Sequence, residues 1–232
     1  MATYNGALFI EEQIRSILDQ LTVDDELIIS DDGSTDKTVQ LINFFGDQRI
    51  RLVYSQGHKS PAQNFENALQ HAQGAFIFLS DQDDIWYPDK VQTVLNSLIN
   101  YDLVVTDCQI VDKDGKILHD SFFESRRSRR GFWRNLWKNS YMGCCMAFKR
   151  EVLAYALPFP PQLYFHDWWI GLMVERQGTP YFLTQALIKY RRHGYNVTPT
   201  GETPQSYQWR VRFRNRFWLS WSVMKRSIAL SQ

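Results

Sequence analysis

The sequence predicts an α/β fold: a mixed, mainly parallel sheet flanked by helices, with an amphipathic helix at its carboxyl-terminal end. Three observations predict it. Short apolar runs bounded by turn residues alternate with longer stretches of helical period through residues 1–107, the pattern of strands joined by crossover helices. Acidic and turn-forming residues collect where those strands end, in "SDDGSTD" and "SDQDD", and such sheets bind ligands beyond the carboxyl ends of their strands. The charge is also divided, with 8 Lys/Arg against 21 Asp/Glu in residues 1–125 (net −13) and 18 against 4 in residues 126–232 (net +14). An acidic half suits a divalent cation and a basic half suits phosphates or an anionic surface.

The elements follow in order. "MATYNG" leaves only Ala2, Thr3 and Tyr4 before an Asn-Gly turn, so the first strand is expected to be a stub or to lack its beginning. Ile10, Ile14, Ile17, Leu18 and Leu21 have helical spacing, as do residues 37–45, 61–72 and 88–100. Pro61 and Pro88 sit in first turns, where a missing N–H costs nothing. Strands are expected over Glu26–Ser30, Arg51–Tyr54, Ala75–Ser80 and Leu103–Asp107. "DKDG" between "CQIV" and "KILHD" marks a hairpin. Beyond a basic run from Arg126 come a strand-like "GCCMAFK", a helix-like "HDWWIGLMVERQG" and a strand ending in "ALIKYRRHG".

Composition narrows the class. Hydrophobic residues at 44% and charged residues at 22% fit an ordinary globular domain with a sizeable core. No apolar run approaches the ~20 residues that span a bilayer, and the first residues lack a signal-peptide layout, so a cytoplasmic protein is expected. Three cysteines, two of them adjacent, give no disulfide framework and no metal-binding pair. "RRSRR" stands without any nucleic-acid recognition module, so no nucleic-acid partner is expected.

The chemistry concentrates in four stretches, "TYNG", "SDDGSTD", "SDQDD" and "HDWW". Ser34 or Asp36 can cap the helix after Gly33, but a cap does not require both Asp31 and Asp32. Asp81, Asp83 and Asp84 resist ionising together unless a cation or polar ligand shares them. A haloacid dehalogenase places its Asp-x-Asp after the first strand, whereas this one comes late in the sheet. An EF-hand loop would be interrupted by Trp86 and Pro88. A dinucleotide site would show Gly-x-Gly-x-x-Gly after the first strand, and none is present.

"ATYNG", "ISDDGSTD" and "FLSDQDDIW", in this order and at these intervals, resemble the amino-terminal half of the GT-A fold glycosyltransferases of family 2. "FHDWW" and "YRRHGYN" extend the resemblance toward the bacterial rhamnosyltransferase branch. The resemblance implies an inverting, metal-dependent transfer of one sugar from a dTDP- or UDP-linked donor, L-rhamnose from dTDP among them, to a surface polysaccharide or lipid-linked glycan. Residues 1–110 would be the nucleotide-sugar half, 111–200 the acceptor half of the same domain, and 201–232 the basic helix. By resemblance Thr3, Tyr4 and Asn5 line the nucleoside pocket. Asp32, or its neighbour Asp31, would accept the pyrimidine N3–H, with Gln63 and Asn64 beside the donor. Asp81 would face the ribose, and Asp83 would hold Mg²⁺ or Mn²⁺, with His193 closing on the metal or diphosphate. Asp84 would support that site or cap the next helix. Asp167 would be the general base, unless it only caps its helix, with His166 beside it. One of Trp168 and Trp169 would be a sugar platform and the other core. Asp107, Arg191 and Arg192 are further candidates for the sugar or acceptor.

Trp209, Phe213, Phe217, Trp221, Met224 and Ile228 follow helical spacing among Arg210, Arg212, Arg214, Arg216, Lys225 and Arg226. Such a helix either lies on an anionic membrane at the inner face of the cell or packs on the domain with a basic outer face. "QSYQW" falls short of the Gln-x-x-Arg-Trp motif of processive synthases, consistent with transfer of a single sugar. The rival class is a sugar-nucleotide-binding protein without catalysis.

Overall fold

The computed structural model describes residues 1–55, 60–161, 163–194 and 209–230, with the side chains of residues 209–215 left aside. Residues 195–196 and 205–208, and the side chains of Trp209, Arg210, Arg212, Phe213 and Arg214, therefore lie outside the described residues although the sequence analysis draws on them.

Nine strands and nine α-helices make up the described residues. A parallel trio, β1 (Ala2–Thr3), β2 (Leu27–Asp31) and β3 (Ile50–Tyr54), pairs in the order β1–β2–β3. The Ala2 N–H reaches the Ser80 carbonyl at 3.3 Å, which joins this trio to the chain just beyond β4 (Phe76–Phe78). The second sheet runs β4–β8–β6–β9–β5, where β5 is Ile85–Trp86, β6 Leu103–Val111, β8 Met146–Lys149 and β9 Pro180–Arg191. β6 and β9 are parallel, whereas β8 lies antiparallel between β4 and β6. The arrangement is thus mixed, as expected, with β1–β2–β3 and β6–β9 parallel and the remaining pairings antiparallel. The hairpin is present: β7 (Ile117–His119) folds back on β6, with the Lys116 carbonyl accepting the Asp112 N–H.

Both faces of the central strands are buried, which is why they read as apolar runs rather than alternations. Leu103 and Val105 of β6 join Met146 and Phe148 of β8 in the larger core, together with α1 (Ile10–Leu18), α3 (Pro61–His71) and α8 (His166–Gln177). Val104 and Ala147, pointing the other way, pack with Val94 and Leu98 of α4 (Lys90–Leu98). Helix α1 buries Ile10, Ile14 and Ile17 along one stripe, the i, i+4, i+7 pattern read from the sequence.

Three differences from expectation have physical causes. β6 extends to Val111, because its second half gains β7 on one side and the end of β9 on the other. β5 is a two-residue strand unmarked by any local pattern, and only its pairing with β9 creates it. Helix α4 begins at Lys90, after Pro88, so Asp84 is not its cap. Helices α2 (Thr38–Phe44), α5 (Phe122–Arg126), α6 (Phe132–Trp137), α7 (Leu153–Ala156) and α9 (Trp209–Ala229) complete the set.

Candidate active site

The "TYNG" and "SDDGSTD" loops are locked together beyond the ends of β1 and β2. Asn5 adopts φ +49°, its Oδ1 accepts the Thr35 N–H at 2.8 Å, and its own N–H donates to Ser34 Oγ at 2.9 Å. The Ala7 N–H donates to Asp36, whose other oxygen takes the Thr38 N–H at the first turn of α2. The two neighbouring aspartates separate in role. The Asp31 carboxylate accepts the N–H groups of Gly33 and Ser34 and the Ser34 hydroxyl, at 3.0, 2.8 and 2.5 Å, which corrects it from a nucleoside contact to a turn residue. Asp32 is buried at 4% exposure, and its Oδ1 has no hydrogen-bond partner. A buried carboxylate oxygen without a partner is costly unless a ligand donates to it.

Gln82 is not singled out by the sequence, yet it ties the "TYNG" loop to the aspartate loop. Its Oε1 accepts the Thr3 hydroxyl at 2.6 Å and the Tyr4 N–H at 2.9 Å, while its Nε2 donates to the Tyr4 carbonyl. Gly6 lets it approach, because a Cβ there would lie 2.3 Å from Gln82 Oε1. Asn64 donates to the Thr3 carbonyl at 3.1 Å and keeps its Oδ1 without a partner, while Gln63 is half-buried beside it.

The aspartate loop is held from behind by Arg191. Its backbone N–H donates to Asp84 Oδ1, its Nε to the Asp83 carbonyl and its Nη1 to the Lys113 carbonyl, and its Nη2 pairs with Glu12 at 2.5 Å. Arg191 is only 5% exposed, so it braces the loop instead of facing a sugar as expected from sequence. Asp84 is fully buried, and burial followed by the charges of Asp83 and Asp81 holds its carboxyl well above the usual range. His193 Nε2 meets Asp83 Oδ2 at 2.8 Å. Phe9 lies between two cationic or aromatic partners, stacked on His193 at 4.7 Å and under the Arg191 guanidinium at 4.9 Å. Arg192 is half-buried and donates its N–H to the Val111 carbonyl.

Asp167 lies in the first turn of α8 and closes the site from the other half of the chain. The N–H groups of Trp168 and Gly143 bond its half-buried carboxylate, but burial outweighs them and pushes its pKa up to about 7. Asp81 is also pushed up to about 7, by burial first and then by the charges of Asp83 and Asp167. Asp167 and Asp81 thus flank the same turn, Asp167 beside Gly143 and Asp81 within 4.8 Å of the Cys144 thiol, although neither motif reveals this in sequence. His166 stacks on Phe65 at 3.9 Å, its Nε2 lacks a partner, and burial lowers its pKa to about 3, so it is neutral. Gly143 makes room for both, since a Cβ there would come within 2.9 Å of His166 Nε2 and 3.7 Å of Asp167.

Two candidates are corrected to structural roles. Trp169 is fully buried with its indole N–H on the Ala156 carbonyl, so it is the core tryptophan and Trp168 the half-buried one. Asp107 spends one oxygen on the N–H groups of Cys108 and Phe123 and the other on the Ser121 hydroxyl, tying β6 to the start of α5.

Carboxylates beyond the strand ends and a carboxylate from the first turn of α8 thus gather on one side of the sheet. The family model described as glycosyl transferase family 2 matches residues 1–156, and the chain belongs to that family. The putative teichuronic acid biosynthesis glycosyltransferase TuaG of Bacillus subtilis is 28% identical over 194 residues, covering 82% of this chain and 76% of that protein. The dTDP-rhamnosyl transferase RfbG of Shigella flexneri is 28% identical over 223 residues, covering 84% and 72% respectively. An uncharacterized glycosyltransferase of Haemophilus influenzae is 36% identical over 108 residues, but that match spans 46% of this chain and 43% of the relative. Among solved structures, S. aureus TarS 1–349 in complex with UDP-GlcNAc superposes with a TM-score of 0.68 at 18% identity, over 84% of this chain and 58% of that one. The mannosyltransferase PcManGT from Pyrobaculum calidifontis, in complex with GDP-Man and Mn²⁺, gives 0.60 at 22% identity over 93% and 60%. The chain thus spans somewhat over half the length of these solved chains, and at such identities the likeness is one of fold.

Proposed function

We propose that the chain transfers one sugar, with inversion, from a pyrimidine nucleoside diphosphate donor to a hydroxyl of a bacterial surface glycan or its lipid-linked precursor. The observation that carries this reading is that Asp167 lies against Gly143, whose neighbour Cys144 has its thiol within 4.8 Å of the Asp81 and Asp84 carboxylates. The partnerless Asp32 Oδ1 suits a pyrimidine N3–H, with Thr3 and Tyr4 beside the base and Asp81 toward the ribose. The name of the RfbG relative supports a dTDP-rhamnose donor, and TarS with UDP-GlcNAc supports a UDP-hexose as the alternative.

The donor set fits a hard divalent cation. Three carboxylates lie within four residues, and His193 adds a nitrogen 2.8 Å from Asp83 Oδ2. Asp83 and His193 would hold Mg²⁺ or Mn²⁺, and the bound ion would offset the charge that develops on the departing diphosphate. Asp81, Asp84 and the Cys144 thiol also converge within 4.8 Å. That set lies behind the loop, where Cys144 and Asp84 are fully buried and a diphosphate has no access.

Asp167 takes the proton of the acceptor hydroxyl as the new bond forms. A base whose pKa lies near 7 combines availability with driving force at neutral pH. Neutral His166, with its Nε2 open, can hydrogen-bond an acceptor hydroxyl beside that proton. A panel of UDP-, dTDP- and GDP-sugars, read as nucleotide release with Mn²⁺ and with chelator, tests the reading. Release from UDP or dTDP donors that stops in chelator is expected. Unchanged release in chelator would remove the cation from the account, and no release with any donor would favour sugar-nucleotide binding without transfer.

A further inference from the structure

Helix α9 is divided lengthwise. Leu219, Val223 and Ser227 are buried at 5% exposure or less, whereas Phe217, Trp221, Met224 and Ile228 are 48–76% exposed. The exposed four follow steps of four, three and four residues, so they form one apolar stripe on the outer side. The sequence leaves open whether this helix meets a membrane or packs on the domain, and among the described side chains one face packs while a separate face is exposed.

The stripe does not stand alone. Helix α6 lies beside α9, with Arg216 Nε and Nη2 bonded to the Trp137 carbonyl at 3.0 and 2.8 Å and its guanidinium 5.0 Å from the Trp137 ring. On α6, Trp133 is 73% and Trp137 57% exposed, one turn apart. Neither tryptophan is explained by the core or by the candidate active site. Monomeric proteins seldom leave an apolar patch of this kind without a partner.

Charge identifies the partner. Arg129, Arg130, Lys138 and Lys225 are exposed around these aromatics, with the Lys225 ammonium 5.1 Å from the Trp221 ring. No Asp or Glu occurs in residues 126–150 or 203–232. A second copy meeting this face would set like charges against like. A bilayer with anionic headgroups complements it, because tryptophans sit at the headgroup level and each nearby cation adds attraction. Among the described residues no helix is long and apolar enough to cross a membrane, so the contact is one of lying on the surface.

We infer that α6 and α9 together form a docking face for an anionic lipid bilayer, with Trp133, Trp137, Phe217 and Trp221 entering the interface and Lys138 and Lys225 meeting headgroups. The Trp168 indole N–H donates to the Asn135 carbonyl of α6 at 2.7 Å, so this face is one helix away from Asp167. An acceptor presented at a membrane would arrive on that side. The inference rests on the surface itself and stands whether or not the transfer reading holds.

Co-sedimentation of the full chain with phosphatidylcholine vesicles, with and without about 30% phosphatidylglycerol, tests it. Binding at least about tenfold tighter to the anionic vesicles is expected, weakening as salt rises. Phe217→Ser with Trp221→Ser, and separately Lys138→Glu with Lys225→Glu, should each weaken binding about tenfold or more. Leu118→Ser, an exposed leucine on β7, should leave it unchanged. Nucleotide release in lipid-free solution should be unaltered in all of these variants, which separates this test from that of the catalytic reading. A native chain that stays in the supernatant would overturn the proposal, as would serine variants that bind like the native chain. So would a native dimer that the same serine variants dissociate, since the face would then lie between two copies.

Discussion

The acidic cleft and the basic face handle charge in opposite ways. Around the strand ends the carboxylates meet fixed donors: Asp31 takes three, and Arg191 spans Glu12, Asp84 and the Asp83 carbonyl. On the α6–α9 face, Lys138 and Lys225 stand exposed, while Arg134, Arg216 and Arg226 are tied to carbonyls of neighbouring segments. The cleft is pre-organised for one geometry, which chemistry at a reacting atom requires. The face presents area and charge without fixed geometry, which suffices for a fluid surface. The same element type, a cation near an aromatic ring, therefore serves as a brace at Arg191 and Phe9 and as a contact at Lys225 and Trp221.

Substitutions can break this contrast, and the largest effect is expected at Asp83. Asp83→Ala should cut nucleotide release about a thousandfold and abolish a Mn²⁺-binding isotherm, since a bound ion would contribute several kcal/mol to stabilising the departing diphosphate. Arg191→Ala should destabilise the fold by about 3 kcal/mol in denaturant unfolding, because it strands the Asp83 and Lys113 carbonyls and the Glu12 carboxylate that the guanidinium holds. Gln82→Ala should cost about 1–2 kcal/mol and raise the donor KM severalfold, since Thr3 and Tyr4 lose the group that orders them. Trp221→Ser, on the bare face, should leave unfolding within about 0.5 kcal/mol of the native chain. If Arg191→Ala proved as mild as Trp221→Ser, the distinction between brace and contact would be lost.

The two regions were also unequally legible in sequence. The elements of the donor side depend on local signals, such as the apolar stripe of α1 and the Asp-Asp-Gly turn after β2, and both appear where the spacing places them. The division of labour between Asp31 and Asp32 was not legible, because it depends on which carboxylate turns back to the Gly33 and Ser34 amides. Arg191 and Asp107 were misread for a related reason. Each ends a strand, as site residues do, but Glu12 and Ser121 lie far off in sequence, and nothing local announces that they take up those charges. Gln82 had a signal, its position inside "SDQDD", that was overlooked beside three aspartates. Trp169 could not be told from Trp168 because adjacent helical residues differ only by which face meets the core.

The central claim is that Asp167, held at a pKa of about 7 by burial, is the base of the transfer. Its folded pKa lies above the unfolded value of 3.8, so its contribution to stability is complete below that value and is lost as pH rises through about 7. Asp167→Asn should therefore unfold at higher temperature than the native chain at about pH 8 but not at about pH 4. The most direct measurement is nucleotide release against pH for the native chain and Asp167→Asn, with donor binding measured alongside. The account predicts a native rate that rises through pH about 7, and a variant slower by about 10²–10⁴-fold at unchanged donor affinity. A variant that turns over at the native rate would contradict it.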